Sequence, residues 1–104
     1  MHSLRLFILC LVLIACKKPE NPSIPRSEMI KILADIHLSE ASIGNISPQI
    51  KDSIASMYLD QILKIHKTSK DNFNSSLRIY NQDPIEIEKI YEDVLKELEG
   101  KGLK

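Results

Sequence analysis

With 104 residues the chain has room for one small domain, and its 14 basic and 14 acidic side chains cancel. A neutral chain with only 5% aromatic residues lacks the basic, aromatic-interleaved surface that nucleic acids require, which excludes them as partners. Three glycines are too few for a phosphate-cradling loop.

The first fifteen residues carry a single charged side chain, Arg5, ahead of an unbroken apolar run over residues 6–14. That run falls well short of the roughly 20 apolar residues that cross a bilayer, and Lys17 and Lys18 end it abruptly. A buried helix would need a polar outer face, and residues 6–14 have none. A basic start, an apolar middle and the small Ala15 make the pattern of a signal peptide over residues 1–15. Leu13, Ile14, Ala15 and Cys16 resemble a lipobox, the cleavage and acylation signal of bacterial lipoproteins. The resemblance implies that the mature chain begins at Cys16, carries covalent lipid there, and meets the membrane through acyl chains. Loss of Arg5 leaves 13 basic against 14 acidic residues, and loss of Cys10 leaves the folded part without a free thiol. Disulfides are thereby excluded, and stability must come from packing.

Residues 16–26 read as the acylated cysteine and a tether. Pro19, Pro22 and Pro25 recur every third residue, as in a stiff extended spacer of up to about 30 Å.

Helical spacing organises the rest, a domain over residues 27–100 followed by a short tail, 101–104. Ser27 is placed to cap a first helix that runs to Ile43, where Gly44 ends it. Met29, Ile32, Leu33, Ile36 and Ile43 share one face, and a second strip of Ile30, Ala34, Leu38 and Ala41 predicts contact with more than one neighbour. Ser47 and Pro48 open a second helix ending near His66, with Ile50, Ile54, Met57, Tyr58, Ile62 and Ile65 as its expected buried face. The short connection makes these two helices antiparallel. Thr68 or Ser69 caps a third helix through Asn81, carrying Phe73, Leu77 and Tyr80. Asp83 and Pro84 open the last, with Glu86 at the capping-box position, a stripe of Ile87, Ile90, Tyr91, Val94, Leu95 and Leu98, and Glu92 one turn from Lys96. The expected fold is all-α, a small bundle of about four helices.

Asp35, His37, Glu40 and His66 are the residues that could suggest a metal. His66 falls about 18 Å along the hairpin from the level of His37, at 1.5 Å per residue, so no metal site is expected. His37 reads as a flank residue and His66 as a partner of its own helix's terminal carbonyls. Glu40 is the more informative position, because it falls within an apolar stripe where a carboxylate must be paired, be protonated or line a cavity. Lys51, at a matching level of the next helix, is its expected partner in a partly buried ion pair; the polar floor of a ligand groove is the alternative. Gln61 reads as a packing residue, and Tyr58, Tyr80, Tyr91 and Phe73 as core aromatics. The serines lack the turns and partners of a nucleophile and read as caps and solvent-facing positions, so no catalytic residue and no enzyme activity are expected.

The strings MIKILADIHLSEA (29–41), YLDQILKIHKTSKDNFNSSLRIY (58–80) and PIEIEKIYEDVL (84–95) resemble a family of small Bacteroidetes lipoproteins with a helical domain of unknown function. The resemblance implies no activity, cofactor or catalytic residue. Lys17, not aspartate, follows the acylated cysteine, and Glu20 is the single acid nearby, which predicts the outer membrane, facing the periplasm. The expected role is a non-catalytic accessory subunit docking on an envelope protein, with a chaperone-like peptide- or lipid-binding module as the alternative.

Overall fold

The computed structural model describes Ser3 and residues 21–101, and residues 21–101 form four helices: α1 (Arg26–Ile43), α2 (Pro48–Ile65), α3 (Lys70–Asn81) and α4 (Pro84–Gly100). The fold is all-α, as expected. The signal peptide (apart from Ser3), Cys16 and the end of the tail lie outside the described residues.

Local chemistry fixes most helix ends. Ser69 Oγ accepts from the Asn72 amide at 3.1 Å, and Asp83 Oδ1 accepts from the amides of Ile85 and Glu86, both at 3.1 Å. Pro48 and Pro84 sit just inside their helices, where the missing N–H costs nothing. Gly44 closes α1 at φ 71°, and Lys67 takes the left-handed conformation after α2 at φ 56°. There the Thr68 amide reaches Leu63 O and the Lys67 amide reaches Lys64 O, a Schellman closure built without glycine.

Two capping expectations are corrected. α1 begins one residue earlier than Ser27, with extended Pro25 at the cap and its carbonyl accepting from Met29. Glu86 does not close the capping box, because its carboxylate bonds Arg26 Nε at 2.8 Å instead. Lys96 likewise lies 3.9 Å from Asp93 rather than beside Glu92.

Helix α1 is central, packing against α2 on one side and α4 on the other, while α3 joins α4 and touches α2. The end of α2 returns to the start of α1, so the pair is antiparallel. Arg26 pairs with Glu86 and Asp93, and Asp35 with Lys101, so α4 runs in the direction of α1. The core comprises Ile24, Met29, Ile30, Ile32, Leu33 and Ala34, then Ile62, Leu63, Phe73, Ile90 and Val94. It therefore occupies one half of the α1–α2 hairpin. No residue of α1 beyond Ala34 is fully buried, and residues 44–53 are all exposed.

Burial corrects two expected faces. In α2 the inward positions are Ala55, Leu59, Ile62 and Leu63, whereas Ile50, Met57 and Ile65 point out, Ile65 at 74% exposure. In α4 the stripe narrows to Ile87, Ile90, Val94 and Leu98, leaving Tyr91 and Leu95 exposed. The expected tether is also shorter at its folded end. Ile24 is 4% exposed and locked to α3, its amide donating to Ser76 Oγ at 3.1 Å and its carbonyl accepting from Tyr80 Oη at 2.8 Å.

Candidate functional site

Where α1 and α2 run on past the short α3, the bundle leaves an apolar groove. Leu33, Ile36, Ser39 and Glu40 of α1 wall it together with Ala55, Ser56 and Leu59 of α2, and Phe73 and Leu77 of α3 close one end. Spacing explains the walls. Residues 33, 36 and 40 share one face of α1, and 55, 56 and 59 share one face of α2. The groove holds about 360 Å³, at the low end of the roughly 300–1,000 Å³ typical of small-molecule sites. Ser39 Oγ donates back to Ile36 O at 2.7 Å, which leaves the Glu40 carboxylate as the charge at the groove.

Glu40 thus lines a cavity and is not half of a buried pair. It is 58% exposed, lies 4.0 Å from His37 Nδ1, and no ion pair joins it to the exposed Lys51 among the described residues. The reason is its level: Glu40 stands beyond the buried half of the hairpin, where water solvates both charges and no desolvation forces them together.

A second polar constellation lies at the opposite end of the hairpin. His66, whose side chain is 12% exposed, donates from Nδ1 to Glu28 Oε1 at 2.5 Å and from Nε2 to Asp35 Oδ2 at 2.7 Å. Lys101 Nζ approaches the other Asp35 oxygen at 3.4 Å. Two acceptors, one on each nitrogen, fit only the protonated ring. Burial lowers the pKa of His66, but the hydrogen bonds its ring donates to Asp35 and Glu28 outweigh it, and the net shift is upward. The expected interaction of this side chain with its own helix carbonyls is therefore replaced by one with α1. Asp35 and His66 come together while His37 and Glu40 stay apart from them, and among the described residues no group of three or more His, Cys, Asp or Glu is placed to hold a metal.

The family model described as Domain of unknown function (DUF4296) matches residues 19–102. The chain belongs to the DUF4296 family. No curated protein and no solved structure matches it. In this DUF4296 chain the His66 ring has both nitrogens occupied and offers no lone pair to a proton or a metal. The groove instead presents apolar surface with the Glu40 carboxylate among its lining residues. Two polar residues of the DUF4296 domain depart from the sequence reading: Ser76 is not the cap or solvent-facing residue expected of the serines, and Arg26 carried no expected role. Ser76 is fully buried and takes the Ile24 amide, and Arg26 bridges Glu86 and Asp93 at 2.8 and 2.7 Å. Ser76 had a local signal, since it lies one turn from both Phe73 and Tyr80 on the inward face of α3.

Proposed function

We propose that this chain is an envelope lipoprotein, acylated at Cys16 and held at the periplasmic face of the outer membrane, whose helical domain docks as a non-catalytic accessory subunit on a larger envelope protein. The outward stripe of α2 carries this reading. Ile50, Met57 and Ile65 are exposed at helical spacing, with half-buried Ile54 between the first two and the polar Gln61 between the last two, and exposed apolar side chains on one face of a helix are the surface an association would use. Two or more acyl chains make attachment stable where one is marginal, and confinement near the bilayer raises the effective concentration toward a membrane partner.

Crosslinking in intact cells followed by mass spectrometry is expected to return one dominant envelope partner through α2, and Met57→Lys to weaken that link without loss of helical content. Recovery of no stable partner sinks the reading. Protease shaving of intact cells is expected to spare the domain.

The groove favours a second reading, a periplasmic lipid- or peptide-binding module. Its largely apolar wall is the surface such a module needs.

A further inference from the structure

We propose that the groove between α1, α2 and α3 shelters an acyl chain carried by the protein's own Cys16. This rests on the acylation proposed above and gives the lipid-binding reading its ligand.

Reach comes first. Ile24 is pinned to Ser76 and Tyr80 on the inward face of α3, and Phe73 and Leu77, each within one turn of Ser76, wall the groove. The leader therefore joins the domain beside the groove. Cys16 precedes Ile24 by eight residues, an extended reach of at most about 28 Å, which comfortably spans a distance of a few helical turns.

Chemistry comes next. The groove, about 360 Å³ and open along one side, has room for a stretch of an acyl chain laid along it. Leu33, Ile36, Leu59, Phe73 and Leu77 supply apolar contact along it. Glu40 at the groove repels a free fatty acid or an anionic headgroup, whereas an ester- or amide-linked chain on Cys16 carries no charge and meets no such penalty. The chain is also tethered, so its local concentration at the groove exceeds that of a free lipid in the aqueous periplasm.

The test feeds cells a diazirine-bearing palmitate, irradiates them, and maps the crosslinked peptides of the purified full-length product. Expected is probe on Cys16 with crosslinks to the peptides holding Leu33 and Ile36, Leu59, or Phe73 and Leu77 of the same molecule. Ala55→Trp, which fills the groove, is expected to reduce those crosslinks about tenfold at unchanged labelling. Its helical content is checked by circular dichroism, and the wild-type map decides the question if that variant does not fold. Probe on Cys16 that crosslinks only phospholipid, or a groove crosslinked to another polypeptide, overturns this inference and leaves the anchor standing. Absence of probe from Cys16 overturns the anchor and the inference together.

Discussion

The imidazolium of His66 holds the end of α2 against Glu28 and Asp35 of α1, and this makes stability depend on pH. Its folded pKa is raised above the ordinary 6.5, so the stabilisation is complete below about 6.5 and is lost as pH rises through the higher folded value. Thermal melts are expected to show Tm falling as pH rises above about 6.5, and His66→Gln to flatten that slope. Removing the ring altogether in His66→Ala is expected to cost about 2 kcal/mol, the scale of a hydrogen bond to a charged group. Ser76 acts without charge. Ser76→Ala strands the buried Ile24 amide and is expected to cost about 1–3 kcal/mol in chemical denaturation. His66 was within reach of sequence reasoning. Folding the hairpin at Asn45 puts His66 opposite the start of α1, beside Glu28, but reckoning its level from His37 alone concealed this.

At the scale of elements, the helix C-termini give opposite outcomes for glycine. Lys67 holds φ 56° with a side chain that resists it, so Lys67→Gly is expected to stabilise the domain by about 1 kcal/mol. Gly44 has open space where a side-chain methyl would sit yet a φ of 71°, so Gly44→Ala is expected to destabilise by about 1 kcal/mol through backbone strain alone. Calorimetric melts read both. Helix boundaries were legible because Gly44, Pro48, Ser69, Asp83 and Pro84 act locally. Rotation about the helix axis was not, since α2 carries apolar residues nearly all round. Ile50, Ile54, Met57 and Ile65 spell one face and Ala55, Leu59, Ile62 and Leu63 another, and only packing against α1 and α3 selects the second. Glu40 failed for a different reason: its place in the stripe was right, but the stripe outruns the core.

At the scale of the whole molecule, burial is concentrated where α1 meets the end of α2 and the middle of α4. Ile90 is fully buried there, and Ile90→Ala is expected to cost about 2–5 kcal/mol, a large share of what so small a domain possesses. The other half of the hairpin has little to hold it. Amide exchange is expected to be fast around residues 44–53 and slowest at Met29, Ile32 and Ile90.

The lock on Ile24 carries a mechanical consequence. Any tension arriving along the N-terminal leader is delivered straight to three hydrogen bonds on α3, between Ser23 and Ser76, from Ile24 to Ser76 and from Tyr80 to Ile24, ahead of the first turn of α1. Load applied from that side shears the leader off α3 before it can unwind a helix, so Ser76 and Tyr80 set the force at which the domain begins to yield.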